Sequence, residues 1–370
     1  MEQFNLENIR LTTLWASFTV GLLLGAVSHR YRFCTMGAVT DVLMLGSWQR
    51  VRMWLLAIGT ASLGLQTLRL TGHAQVEHTI YLNTHWAWLS SILGGIIFGF
   101  GAVLTSGCGS KNLVRLGTGN LKALVVFIVT GISAYMTLKG ILAVGRAKYL
   151  DPFRIELPWG ADLPSMLTHT LHLSAHNTDA LLSIAIPLLL TTLALSHKSA
   201  WNKDTIGGGL GVGLCVVAAW SITFCVSYIP EHPDTLEATY IASYTHKAEG
   251  LSFIAPYAYT LEWLMLYSDE NRVLSIGILS SLGVMLGALL SSMCNKTFRW
   301  ESFHSVEDTA NHILGAFLMG AGGILALGCS IGQGLSGAST LAATSWITLA
   351  CMALGAVIGL RYQTWRITEK

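Results

Sequence analysis

Two dipeptides carry the clearest chemical signal in the sequence: Gly107-Cys108 and Gly328-Cys329. Each closes a glycine-rich apolar run and opens a polar turn. After Cys108 come Gly109, Ser110, Lys111 and Asn112, then Arg115; after Cys329 come Ser330, Gly332 and Gln333. A helix that starts at such a turn inside an apolar medium points unpaired N–H groups at its own N-terminus. The helix dipole adds partial positive charge there. Glycine lets backbone approach a small anion closely, and a thiol adds a soft, polarisable contact with a weak S–H donor. An oxyanion with a soft outer sulfur would use both features, whereas a phosphate would gain nothing from the thiols. For Lys111 and Arg115 two readings stay open: snorkelling to an interface or drawing an anion inward.

The remaining cysteines are Cys34, Cys215, Cys225, Cys294 and Cys351. No CxxC pair and no Cys/His cluster with zinc spacing occurs, so neither a metal site nor a cofactor is expected. Cys215, Cys225, Cys294 and Cys351 read as small hydrophobes. Asp41 is expected to pair with Arg32 or another neighbouring arginine rather than to relay protons. His85, Trp86, Trp88 and Trp263 read as an interfacial belt, with His29 and His312 at span ends.

The elements that position these residues must work in lipid. Only 11% of the 370 residues are charged, less than half the soluble norm of roughly 25%. A net charge of +2 without a basic run gives no sign of a nucleic-acid surface. Nine stretches approach the roughly 20 apolar residues that a spanning helix needs: 11–28, 53–70, 88–106, 123–144, 180–196, 206–229, 273–293, 312–327 and 341–360. Gly21/Gly25, Gly95/Gly99, Gly209/Gly213, Gly283/Gly287 and Gly355/Gly359 form GxxxG pairs that mark close helix contacts. Four shorter pieces lie between the spans, at 33–47, 109–119, weakly within 237–267, and 330–339. They read as half-helices that dip into the membrane and return, which lipid tolerates only where protein or water covers the backbone. The first apolar run lacks a basic leader and a small-residue cleavage site and reads as a retained helix. The expected fold is an all-α integral membrane protein with about nine transmembrane helices and about four re-entrant half-helices.

The segments 94–119 and 315–337 resemble each other, each with its Gly-Cys step at the same place, and a weaker echo joins the run ending at Cys34 to the run ending at Cys225. In a nine-span count the two copies run in opposite directions. The chain then forms one transport domain, 1–370, with inverted repeats at 1–150 and 180–370. Broken helices meeting at a repeat interface are a recurrent transporter arrangement. Lysine and arginine in the short loops put the N-terminus outside and the C-terminus inside. The loop 145–179, with Arg146, Lys148 and Arg154, runs against that bias.

The motifs RFCTMGAVTD around Cys34, SGCGSKNLVRLG around Cys108 and GCSIGQGLSG around Cys329 resemble the YeeE/YedE sulphur-transport family. The resemblance covers nearly the whole chain and implies nine spans, four half-helices, a bacterial inner-membrane location and import of thiosulfate or a similar anion. It also implies a relay through Cys34, Cys108 and Cys329, supported by Gly107, Gly109, Ser110, Lys111, Asn112, Arg115, Gly328, Ser330 and Gln333. A cytoplasmic sulfur-carrier protein is the implied partner. The long loops 145–179 and 230–272 depart from a compact member. The alternatives are a carrier for another sulfur or selenium compound and a membrane sulfurtransferase or redox enzyme. The enzyme reading lacks any haem, quinone or CxxC feature, and the driving force is not legible.

Overall fold

The computed structural model describes residues 2–170, 175–231, 236–269 and 274–369. Helices alternate with short turns: α1 (Glu2–Arg30), α2 (Thr35–Leu45), α3 (Gln49–Leu70), α4 (Trp88–Leu104), α5 (Gly109–Gly117), α6 (Leu121–Leu138), α7 (Ile141–Tyr149) and α8 (Leu163–Thr170). They continue with α9 (Ala175–Leu195), α10 (Lys203–Ser221), α11 (Ile254–Met265), α12 (Ile276–Cys294), α13 (Val306–Leu325) and α14 (Ala343–Thr368). A π turn, Ile222–Val226, extends α10, and a second, Gly332–Gly337, lies within a helical stretch at 330–339. Two small antiparallel ribbons complete the chain: β1 (His85–Trp86) pairs with β2 (Ile155–Glu156), and β3 (Tyr228–Ile229) with β4 (Thr239–Tyr240).

Among the described residues seven stretches are long and apolar enough to cross a membrane: Leu6–Leu45, Trp88–Gly117, Leu121–Leu138, Thr178–Leu195, Lys203–Val226, Ile276–Cys294 and Ala343–Arg366. The chain is therefore a multi-pass helical membrane protein. Helices α3 and α13 occupy two further expected spans but fall short of that apolarity, α3 carrying Arg50, Arg52 and Arg69 and α13 opening on Glu307 and Asp308. Leu181, Leu189, Leu214 and Leu290 project from the bundle. In water such side chains would form a large exposed apolar surface, whereas acyl chains solvate them.

Helix α1 lies along α12, α3 along α10, α4 against α13 and α14, and α6 against α11 and α13. The GxxxG pairs make the contacts of α1 with α12, α3 with α10 and α4 with α14. A Cβ on Gly25 would strike the Val284 carbonyl of α12, and one on Gly287 would strike the Leu22 carbonyl of α1, so backbones touch where side chains are missing. Lipid is as apolar as leucine, so such close packing and interhelical hydrogen bonds hold the helices together.

Two expectations need correction. The fourth stretch does not run to Val144: α6 ends at Leu138, Lys139 caps it and α7 restarts after Gly140. His312 lies two turns inside α13 rather than at its end, is buried, and sits 3.0 Å from Asp308. Cys225 lies exposed in the π turn that extends α10. Val273, which opened the seventh expected stretch, and residues 171–174 and 232–235 of the long loops lie outside the described residues.

Candidate functional site

Three helices break in the same way, each immediately before a cysteine. Phe33 N–H reaches the Ser28 carbonyl (3.1 Å), Gly107 N–H the Ala102 carbonyl (2.9 Å) and Gly328 N–H the Gly323 carbonyl (2.8 Å). These bonds satisfy carbonyls that the helix end would otherwise orphan. The preceding residue takes a left-handed conformation each time: Arg32 (φ 53°), Ser106 (φ 56°) and Leu327 (φ 56°). The chain then starts a short helix with the cysteine at its cap. The cysteine carbonyls accept from residues four further on: Ala38 N–H to Cys34 (3.1 Å), Asn112 N–H to Cys108 (2.9 Å) and Gln333 N–H to Cys329 (2.8 Å).

Serine or threonine ordinarily fills this capping role through its side-chain oxygen. Here sulfur takes the place: Gly37 N–H donates to Cys34 Sγ (3.3 Å) and Gly332 N–H to Cys329 Sγ (3.4 Å). Cys108 Sγ lies 3.3 Å from Ser110 Oγ. A sulfur that accepts from backbone keeps its own S–H hydrogen to donate elsewhere.

Asn112 and Gln333 extend the parallel between the two Gly-Cys steps, since each stands four residues beyond its cysteine. Asn112 Nδ2 donates to the Gly107 carbonyl (2.8 Å) and Gln333 Nε2 to the Ala326 carbonyl (2.7 Å), so each amide laces its half-helix to the span before it. Both amide oxygens are buried without a partner among the described residues, as is Ser330 Oγ. The helix dipole and the loose N–H groups make these turns electropositive.

The short helices converge. Cys34 and Cys108 are electrostatic neighbours, as are Cys108 and Cys329. Helix α11 joins them without a cysteine: Phe253 caps it, and its backbone amide faces the Cys329 sulfur. Tyr257 Oη donates to the Gly109 carbonyl (2.6 Å), and a Cβ on Gly109 would come within 2.9 Å of Ile254 Cδ1. Ser336 Oγ donates to the Leu251 carbonyl (2.8 Å), and Trp220 Nε1 to Ser339 Oγ (3.0 Å), fastening the 330–339 stretch to the segment before α11 and to α10. Sequence reading located α11 only weakly, and it missed Phe253 and Tyr257 because an apolar cap gives no motif.

Cavities approach this centre from both ends of the bundle. At one end a cleft of about 840 Å³ holds Cys34, Arg30, Arg32, Arg50, Lys111 and Arg115, with Asp41 as its acidic residue. Arg50 pairs with Asp41 at 3.3 Å, so Asp41 has an arginine partner as expected, though not Arg32. Lys111 and Arg115 are half-buried in this cleft, and Arg115 donates to the Thr105 carbonyl (3.1 Å). At the opposite end a cavity of about 220 Å³ reaches Gln333, Ser345 and Tyr81, with Arg146 and Arg154 at its edge. A neighbouring cavity of about 200 Å³ reaches Gly328 and holds Glu249 and Arg146. Between the ends Cys108 is 2% exposed and Cys329 is fully buried, while Cys34 is half-buried and faces the larger cleft. Among the described residues no group of three His, Cys, Asp or Glu side chains is arranged to hold a metal.

A bundle of apolar helices, interrupted by short helices whose caps are thiols, defines a polytopic membrane protein built around broken helices. Residues 30–358 match the Sulphur transport family, and the chain belongs to that family, YeeE/YedE. It is 25% identical over 354 residues to the thiosulfate transporter TsuA of Escherichia coli (strain K12), the match covering 90% of each chain. It is 26% identical over 353 residues to the thiosulfate transporter TsuA of Spirochaeta thermophila, covering 92% of this chain and 96% of the relative. Both relatives are thiosulfate transporters by name, and the family that the chain belongs to is one of sulphur transport.

Proposed function

We propose that the protein imports thiosulfate, or a closely similar small sulfur anion, across the bacterial inner membrane. In this reading nine spans, with α3 and α13 as the eighth and ninth, surround four half-helices: α2, α5, α11 and 330–339. The N-terminus lies in the periplasm and the C-terminus in the cytoplasm. The repeats 1–150 and 180–370 are inverted copies within one transport domain, 1–370. Exchanging α1 with α10, α3 with α12, α4 with α13 and α6 with α14 maps the main helix contacts onto one another, which supports the repeat.

The observation that carries the function is the capping of three converging half-helices by Cys34, Cys108 and Cys329. The anion enters by the smaller cavities, meets Cys329 and Cys108, and leaves past Cys34 into the basic cleft. At each step an S–H donates to the anion and nearby backbone N–H groups share its charge. The contacts are individually weak, as passage requires, because a site that binds too tightly does not release. Gly107, Gly109 and Gly328 keep the turns open; Ser110, Lys111, Arg115 and Ser330 donate; Asn112 and Gln333 hold the breaks. The basic cleft then hands the anion to a cytoplasmic sulfur carrier.

Uptake of labelled thiosulfate by cells that lack other routes tests this. Wild type should import, and Cys108→Ala and Cys329→Ala should each lose at least about ten-fold, one decade being about 1.4 kcal/mol of barrier. Equal uptake by all three would eliminate the thiol path.

A further inference from the structure

The passage proposed above leaves a half-buried acid beside the Gly328-Cys329 turn without a role. Glu249 projects into the cavity of about 200 Å³ that also contains Tyr81, Arg146, Ser252, Tyr259 and Gly328. It stands four residues before Phe253, the cap of α11. Its backbone is fixed on both sides: Thr223 Oγ1 donates to the Glu249 carbonyl (2.8 Å), and Ala248 N–H reaches the His78 carbonyl (3.3 Å). A Cβ on the next residue, Gly250, would come within 2.8 Å of Ser336 Oγ and of Trp220. The carboxylate thus stands at a set place beside the turn that leads to Cys329.

Its partners do not cancel its charge. Oε1 accepts from Thr245 N–H (3.0 Å) and Thr245 Oγ1 (2.6 Å), both neutral donors. Among the described residues no basic side chain lies within ion-pair distance of it. Arg146, across the same cavity, is already engaged by Asp151 (3.3 Å) and the Thr137 carbonyl (3.2 Å). The other titratable groups facing it are Tyr81 from the loop after α3, Tyr259 from α11 and His246 from its own segment. Burial pushes the Glu249 carboxyl above its ordinary value, against the pull of the Thr245 hydrogen bonds.

A dianion and a carboxylate sharing a small cavity repel each other. A protonated carboxyl removes the repulsion and offers an O–H donor instead. Resting on the transport reading, we propose that Glu249 is a proton-binding site coupled to anion capture. Its protonated form admits the anion, and the arriving anion raises its affinity for the proton. Linkage makes the two effects equal. At most one proton is taken up per anion captured, and fewer as pH falls and the free carboxyl is already protonated, with no bond to carbon or sulfur made or broken.

Purified full-length protein in liposomes, with labelled thiosulfate uptake followed from about pH 5 to about pH 8, provides the test. Thiosulfate stays a dianion over this range, so the substrate does not titrate. For wild type the KM should rise about ten-fold as pH rises, with little change in maximal rate. Glu249→Gln, which mimics the protonated carboxyl, should hold the low KM throughout, and Glu249→Asp should keep a pH dependence with a displaced midpoint. A pH indicator should also register proton uptake when thiosulfate is mixed with wild type in weak buffer, and none with Glu249→Gln. Should Glu249→Gln retain the wild-type pH slope and proton uptake, the inference is wrong while transport stands. Failure of wild type to take up thiosulfate at any pH would overturn both readings.

Discussion

The hydroxyl of Tyr257 donates to the carbonyl of Gly109 at 2.6 Å, deep in the bundle. This contact ties the half-helix that lacks a cysteine to the first turn of the one that Cys108 caps. Tyrosine buried among apolar side chains needs such a partner, because an unmatched hydroxyl there is unfavourable. Tyr257 packs on Phe127 of α6 with ring centroids 4.4 Å apart, so the ring stays anchored when the hydroxyl is removed.

Tyr257→Phe should therefore keep the fold while loosening the junction. A buried neutral hydrogen bond contributes about 1 kcal/mol net. The melting temperature in detergent should fall by roughly 2 °C, and thiosulfate uptake should drop by more than that stability loss explains. Unchanged uptake would show that the position of α11 does not affect passage.

The cluster at the end of α6 responds to pH in a definite direction. Lys139 Nζ lies 3.0 Å from Glu262 Oε1, Tyr244 Oη donates to Glu262 Oε2 at 2.6 Å, and Lys139 also bonds Tyr244. Partial burial works against the lysine charge, but the hydrogen bonds to Tyr244 and Glu262 outweigh it and hold the ammonium above its ordinary 10.5. A raised lysine value means the stabilisation is complete below 10.5 and is lost as pH climbs through the folded-state value. Melting temperature should thus be insensitive to this group at neutral pH and fall in the alkaline range. Lys139→Met should flatten the fall. It should also destabilise by about 3 kcal/mol, because the 2%-exposed Glu262 carboxylate loses its lysine counter-charge. Glu262→Gln should be milder, since the lysine it leaves is 41% exposed and can hydrate.

Much of this arrangement was legible because particular residues have few alternative uses. The Gly-Cys steps, the polar turns after them and the GxxxG pairs marked where helices break and touch, and 33–47, 109–119 and 330–339 are where short helices form. Helix α11 was faint because its cap, Phe253, is apolar and its neighbours supply the contacts. The end of α6 was overrun because Ile141, Leu142, Ala143 and Val144 continue the apolar pattern. The helix nevertheless ends at Lys139, whose side chain bonds Tyr244 and Glu262, and the chain turns at Gly140 before α7. Glu249 was silent for a similar reason, since its cavity is assembled from segments far apart in the chain.

Asn112 offers a separation of packing from passage. Its side-chain amide bridges to the Gly107 carbonyl at 2.8 Å and the Cys108 carbonyl at 3.2 Å. Asn112→Asp replaces a donor by an acceptor facing two carbonyls and sets a negative charge beside the thiol turn. The lost bond and the buried carboxylate should destabilise by about 2 kcal/mol, and uptake should fall below detection. Asn112→Ala should lose a similar amount of stability but retain partial uptake. Equal uptake by the two variants would show that charge at this turn is irrelevant to the anion.

Accessibility of Cys34 tests both the direction of the path and the orientation of the chain. Cys34 is half-buried and faces the basic cleft, whereas Cys329 is fully buried. Cys225 and Cys294 are exposed and Cys351 partly so, so these three are first replaced by serine. A charged, membrane-impermeant thiol reagent should then modify Cys34 in inside-out vesicles and leave it intact in right-side-out ones, since the proposed topology turns the basic cleft toward the cytoplasm. Thiosulfate should slow the reaction by occupying the cleft, and Cys34→Ser should abolish labelling. Labelling confined to right-side-out vesicles would invert the topology and with it the assignment of entrance and exit. Labelling at equal rates from both faces would mean that the buried layer at Cys108 and Cys329 does not seal.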